Sequence, residues 1–330
     1  MRPQKSIAKN ISVYVNAGAS GFFMAAKLMK MGVLENKSLA IVTYLRMKRQ
    51  IQKNQNMMKQ FIISVIFFAG WMSAVTASDK VVSQDRTVSD FQSIQISSSV
   101  DVVFTQGDDF KVVVYAEQDI IEEIITEVNK GTLVVNYKSS SKIGWFSSTE
   151  DAYVEVTAPE LSKVHITGSG DFEGENTINS ESFMLRINGS GDFESALGVR
   201  NMEVHINGSG DAEFSGVNET LDISINGSGD VECNNVNLAL LKINIYGSGD
   251  VQCIGSAENI SLKQGGSGDF YGKDCIADNV KANKSGSGDA TVTAKKAISV
   301  NSNGSGDTVC YGNPDKVNQK INGSGDLHLR

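Results

Sequence analysis

Nine aspartates recur at the same place in a repeated tetrapeptide, Gly-Ser-Gly-Asp, and they are the first candidates for chemistry. They are Asp171, Asp192, Asp211, Asp230, Asp250, Asp269, Asp289, Asp307 and Asp326. Carboxylates stacked in a column repel unless each is hydrogen-bonded, paired or bridged by a cation. Two chemistries follow. Either the carboxylates accept hydrogen bonds from backbone groups at a corner, or they hold calcium, a hard cation suited to carboxylate and carbonyl oxygens. Calcium-binding β-rolls use nine-residue units with ligands at both turns. Here the motif comes about once in 19 residues and most second turns lack acids. Corner hydrogen bonding is therefore the preferred reading and calcium the lesser one.

Other residues are weaker candidates. Trp145 and Phe146 lie in Lys138–Ser148, the least repetitive stretch after residue 78. An aromatic pair can stack on a sugar ring, although covering one end of a core is the more ordinary use. Asn188, Asn207, Asn226, Asn303 and Asn322 each precede a corner and are expected to form an amide ladder, interrupted at Tyr246, Gly265 and Ser285. Cys233, Cys253 and Cys310 each fall three residues after the Asp, an inward position, and are expected as buried thiols. A Cys233–Cys253 disulfide is the alternative, since export permits one. The cysteines, Cys275 included, lack the close pairs of a zinc site. His165, His205 and His328 fall on outward positions and do not cluster.

The elements that must position these side chains are legible from the repeat. The tetrapeptide begins at Gly168, Gly189, Gly208, Gly227, Gly247, Gly266, Gly286, Gly304 and Gly323, with spacings of 18 to 21 residues. Four and two positions before each of the early corners sit apolar pairs such as Val164 and Ile166, or Ile223 and Ile225. One and three positions after the Asp come pairs such as Val231 and Cys233. Polar residues alternate with them, the period-2 mark of strands with one buried face. Each unit thus reads strand, corner, strand, second turn. One unit cannot bury its apolar face but a stack can. The predicted fold is all-β, a right-handed parallel β-helix with coils of about 19–20 residues, with a left-handed solenoid or a flattened two-sheet roll as the alternatives. Glycine suits the corner because it accepts φ > 0 and lets backbones approach closely.

Ahead of the repeat (161–330), residues 78–160 follow a looser pattern. Strands are expected over Ser93–Ile96, Val100–Thr105, Lys111–Tyr115, Thr132–Tyr137 and Ala152–Thr157. Ile120, Ile121, Ile124, Ile125 and Val128 make a helical stripe. The region is read as degenerate coils with a short helix that caps an otherwise sticky edge. Residues 57–77 read as a signal peptide: Met57-Met58-Lys59, an apolar run from Phe61 to Trp71, and a cleavage site after Ala77. Residues 1–56 carry ten Lys/Arg and one acid, Glu35, and are read as an upstream start or a leader. Residues 78–330 carry 19 basic and 37 acidic residues, a net of −18. Nucleic acid is a poor partner for such a surface, because phosphates require Lys and Arg.

Three stretches together resemble the head GIN domain family of autotransporter adhesins, exported bacterial proteins. They are Phe91-x-x-Ile94-x-Ile96 with Asp101-Val102, Thr126-Glu127-Val128-Asn129-Lys130-Gly131-Thr132-Leu133, and the repeated tetrapeptide. The resemblance spans about 90–330. It implies a β-helical fold, an envelope location and an adhesive role, with no catalytic residues to carry over. The sequence ends at Arg330 after the last corner and shows no barrel, so self-export is not expected. The expected function is a non-enzymatic binding module for a glycan or protein, in the periplasm, on the outer membrane surface or secreted. A polysaccharide lyase or hydrolase is one alternative, and would need clustered acids in a cleft. A self-assembling scaffold that pairs through an open β-helix end is another.

Overall fold

Alternating apolar residues leave each strand with one greasy face, and parallel stacking joins those faces into a continuous core. The structure, a computed structural model, describes residues 81–138 and 152–330. The signal segment 57–77, the leader 1–56 and the pair Trp145 and Phe146 lie outside the described residues. The chain is all-β and forms a solenoid of about nine turns in one 19-stranded sheet.

Before the first tetrapeptide come β1 (Val81–Arg86), β2 (Ser93–Ile96), β3 (Asp101–Gln106), β4 (Lys111–Glu117), β5 (Ile124–Asn129), β6 (Thr132–Tyr137) and β7 (Tyr153–Ala158). The tetrapeptide then joins β8 (Lys163–Ile166) to β9 (Phe172–Gly174). β2 lies parallel between β6 and β8, and β3 lies parallel between β7 and β9. Stack order therefore departs from chain order. Ile96 sits beside Ile166 although 70 residues separate them. The other edges of β6 and β7 are taken by antiparallel strands, β5 on β6 and β4 on β7. Opposed strands pair the edge without continuing the parallel stack, so they serve as the cap.

That arrangement corrects the expected helix. Ile121–Glu123 is one 3-10 turn, and Ile124–Asn129 is strand β5. Ile120, Ile121 and Ile124 are buried as the stripe requires, but Ile125 and Val128 are only half-buried. Lys130 and Gly131 both have positive φ, 50° and 75°, and close a two-residue hairpin to β6. Such a turn matches the twist of paired strands, and the β-branched Ile-Ile-Thr-x-Val run fits them. The hairpin outweighs the helical spacing.

The repeat proper comprises β10 (Ile178–Ile187), β11 (Phe193–Ile206), β12 (Ala212–Ile225), β13 (Val231–Ile245), β14 (Val251–Gln264), β15 (Phe270–Lys284), β16 (Ala290–Ser302), β17 (Thr308–Tyr311), β18 (Lys316–Ile321) and β19 (Leu327–Leu329). All these neighbours run parallel. Ile187, Ile206, Ile225 and Ile245 stack in register and are fully buried. Burying each such side chain stabilises by roughly 1.5–3 kcal/mol. Phe172 and Phe193 extend the core with rings stacked 5.1 Å apart. The variable spacing is absorbed away from the corners, as in the register shifts at Ser215/Thr220, Cys233/Val236 and Gln252/Gly255. The corners consequently stay aligned, and everything they carry becomes a column.

Candidate functional site

The corner column is built by two groups that act in opposite directions along the stack. Each glycine of the tetrapeptide faces the coil behind. A Cβ on Gly208 would fall on the carbonyl of Gly189, and one on Gly210 on the carbonyl of Gly191; the pattern holds through Gly323 and Gly325. No corner glycine has positive φ, so close approach alone demands glycine there, and the φ > 0 reason does not apply. Each aspartate serves the coil ahead. The backbone N–H of Asp192 donates to Asp171 Oδ1, and the same bond repeats to Asp326 at 2.7–2.9 Å.

The ladder also has a member outside the tetrapeptides. Asp171 N–H donates to Asp101 Oδ1 at 2.9 Å. Asp101 was legible only in hindsight: Ile94-x-Ile96-x-Ser98-Ser99-Val100-Asp101 has the same phase as Val164-x-Ile166-x-Gly168-Ser169-Gly170-Asp171. With one oxygen engaged by an amide, the carboxylates stand as a column of like charge. Burial raises the pKa of Asp211 and Asp250, and neighbouring ladder carboxylates add to it, while the amide bond opposes them. Among the described residues, no three His, Cys, Asp or Glu side chains are grouped to hold a metal ion.

Two further columns flank the corners. On one side Asn226 donates to Asn207 Oδ1, Asn207 to Asn188 Oδ1, and Asn188 contacts His165 Nε2 at 2.9 Å. Asn322 likewise donates to Asn303. Between these two runs the column reads Tyr246, Gly265 and Ser285. On the other side Glu173, Glu194, Glu213 and Glu232 stack in register, followed by Gln252, Tyr271 and Thr291. Burial raises the pKa of Glu232, and the charges of Glu213, Asp230 and Asp211 add to the shift. His165 is half-buried, and burial lowers its pKa, helped by Lys163 and Arg186. The histidines do not gather: Arg186 separates His165 from His205 in the stack, and His328 lies 3.7 Å from Asp307.

Inside the wall, all four cysteines are free and buried. Cys233 pairs in register with Cys253. Cys253 also meets Cys275, and hydrogen bonding to Cys233, the largest cause, pushes its thiol well up. Strict alternation would turn Cys275 outward. The register shift after Gln252 places it beside Gly255 and turns it inward. A second inclusion is polar. Gln264, Lys284 and Ser302 stack in the inward position that Ile245 holds one coil earlier. Lys284 is 2% exposed and donates to the Asp307 carbonyl at 2.5 Å. Burial pushes its pKa down to about 8, against the pull of Asp289, Asp307 and Asp269. This was readable from the sequence as a lysine in an apolar phase.

Residues 90–254 and 218–314 match the family model described as "Putative auto-transporter adhesin, head GIN domain". No curated protein matches the chain in sequence. The fold resembles a crystal structure from Parabacteroides distasonis named as a putative adhesin, with 21% identity and a TM-score of 0.59. The alignment covers 76% of this chain and 97% of the other. It also resembles a protein of the same organism named as a putative lipid binding protein, with 22% identity and a TM-score of 0.55. There 77% of this chain and 98% of the other are covered. At these identities the likeness speaks to the fold. Among the described residues no helix is long and apolar enough to cross a membrane.

Proposed function

The chain belongs to the family of auto-transporter adhesin head GIN domains, and on that premise we propose that it is an exported, non-enzymatic binding module of the bacterial envelope. Its ligand is a glycan or a protein, and its mature form begins after Ala77. The winding is right-handed, with coils of about 19–20 residues. One observation carries the reading. The most repetitive polar group of the chain, the Asp column, accepts backbone amides from coil to coil. The repeat thus builds a long wall, and recognition falls to the outward columns, where residue types change along the stack. Those columns are rich in Asn, Ser and Glu, which suits hydroxyls and amides better than acyl chains.

The test is a glycan array and an envelope-protein pull-down with purified 78–330, each run with calcium and then with EDTA. Saturable binding on either is expected. Loss in EDTA would give the second Asp oxygens a calcium role; retention would leave the ladder structural. No binding on either platform, with polysaccharide cleavage in a turnover assay, would replace this reading by the enzyme. Concentration-dependent mass without any ligand would replace it by the scaffold.

A further inference from the structure

Among the described residues, two aromatic side chains are largely exposed: Tyr246 at 57% and Tyr271 at 47%. Exposed aromatics scattered singly need no explanation. These two are not scattered. Tyr246 precedes the corner Gly247–Asp250, and Tyr271 follows the next corner, Gly266–Asp269, so they stand on consecutive coils, one on each flank of the same ridge.

Each is held in a way that presents it. Tyr246 interrupts the Asn column, and the residue stacked after it is Gly265. A Cβ on Gly265 would come within 2.9 Å of the Tyr246 ring. The Cδ1–Cε1 edge of the ring thus lies against the backbone of Gly265, where a larger residue would crowd it, and more than half of the residue is open to solvent. Tyr271 donates its hydroxyl to Asp269 Oδ2 at 2.9 Å, which fixes the ring's azimuth. That bond, with burial and the surrounding carboxylates, holds its pKa up at about 12, so the hydroxyl stays neutral.

The charge around the pair also changes. The Glu column ends at Glu232, and Gln252, Tyr271 and Thr291 continue it without charge. On the Asn side, Asn226, Gly265 and Ser285 are neutral as well. Flat aromatic faces receive the C–H faces of a sugar ring, while amides and hydroxyls pair with its hydroxyls. The Asp ladder running along the ridge disfavours anionic sugars.

We propose that Tyr246 and Tyr271 form a carbohydrate subsite for neutral glycan chains, laid across the corners of two consecutive coils. This rests on the binding-module reading and names its ligand class. The probe is an array of neutral and acidic (sialylated and uronic) glycans, applied to the wild type, Tyr246→Ala, Tyr271→Ala and Tyr246→Phe. Both tyrosines are exposed, so far-UV circular dichroism and the melting temperature should not move. The wild type should bind neutral glycans, either alanine variant should lose about tenfold in affinity, and Tyr246→Phe should retain it. Gly265→Val should lift the ring and weaken binding similarly. Neutral-glycan binding unchanged in both alanine variants, or wild-type binding confined to acidic glycans, would overturn the subsite and leave the binding module standing. A wild type that binds no glycan would overturn the subsite together with the glycan form of that reading.

Discussion

In the coil made by β2 and β3 the corner reads Ser98-Ser99-Val100-Asp101, whereas the nine later corners read Gly-Ser-Gly-Asp. Both kinds sit in the same sheet and feed the same Asp ladder. They differ in what lies behind them. Behind each of the later corners is another corner, whose carbonyls leave no room for a Cβ. Behind β2 and β3 lie β6 and β7, which are joined by residues 138–152 and not by a tetrapeptide. Glycine is thus required by the preceding corner and aspartate by the following amide. Asp101 keeps the second requirement and escapes the first.

The largest test of that contrast is to exchange the two corners. Gly189→Ser puts a Cβ against the Gly168 carbonyl and should cost about 3 kcal/mol. The reverse change, Ser98→Gly, should cost about 1–2 kcal/mol, because it adds chain entropy and removes the hydroxyl that accepts from the Val100 N–H. Chemical denaturation midpoints compare them directly, and equal costs would remove the directional account of the corner.

A second contrast sets the apolar early coils against the polar inclusion at Lys284. Lys284→Met should stabilise by about 2 kcal/mol at neutral pH, since a desolvated ammonium is replaced by a side chain of similar size. The wild type should also gain stability as pH rises. Below about 8 both states are protonated and the penalty is complete. Between there and the ordinary lysine value near 10.4 the folded state alone is neutral, so the penalty fades. Urea midpoints from pH 7 to pH 10 should climb in the wild type and stay flatter in the variant.

Within the ladder, Asp211→Ala leaves the Asp230 amide without its acceptor and should cost about 1–2 kcal/mol. Asp211→Asn keeps an oxygen there and removes a repelled charge, so its melting temperature should match or slightly exceed the wild type at pH 7. Raised carboxyl pKa values mean that the folded state holds protons more tightly. This contribution is present in acid and lost as pH rises through and just above the ordinary carboxylate range. The Asp211→Asn advantage should shrink at pH 4. The smallest effect belongs to the cap. Gly131→Ala meets no atom, yet φ is 75°, so the hairpin should lose about 1 kcal/mol. Faster amide exchange confined to β5 and β6 would report it.

Much of the wall was readable from residue types. The inward Ile and Val columns, the buried Cys233, Cys253 and Cys310, and the Asn ladder with its break at Tyr246 all follow from period-2 alternation on either side of a constant corner. Residues fell out of reach wherever the period broke. Cys275 is buried because one register shift inverts its phase. The Ile120–Val128 stripe formed a hairpin because two positive-φ residues at Lys130 and Gly131 reverse the chain. As for the site, the period-2 phase places Tyr271 outward one coil after Tyr246, but the exposure of both rings and the bond of Tyr271 to Asp269 emerged only from the structure.

By itself, the sequence determined the local unit and its neighbour in the repeat, because a constant corner every 18 to 21 residues stacks closely on the next copy of itself. Only the tertiary structure decided where the unrepeated part belongs. It placed β2 and β3 between partners that all come later in the chain, enlisted Asp101 across 70 residues, and closed the edge with antiparallel strands. The physical reason lies in the range of the forces. Corner crowding and amide bonding act between adjacent coils and leave a periodic signature. Closing an open edge is a demand of the whole sheet, and any strand of suitable pattern can meet it.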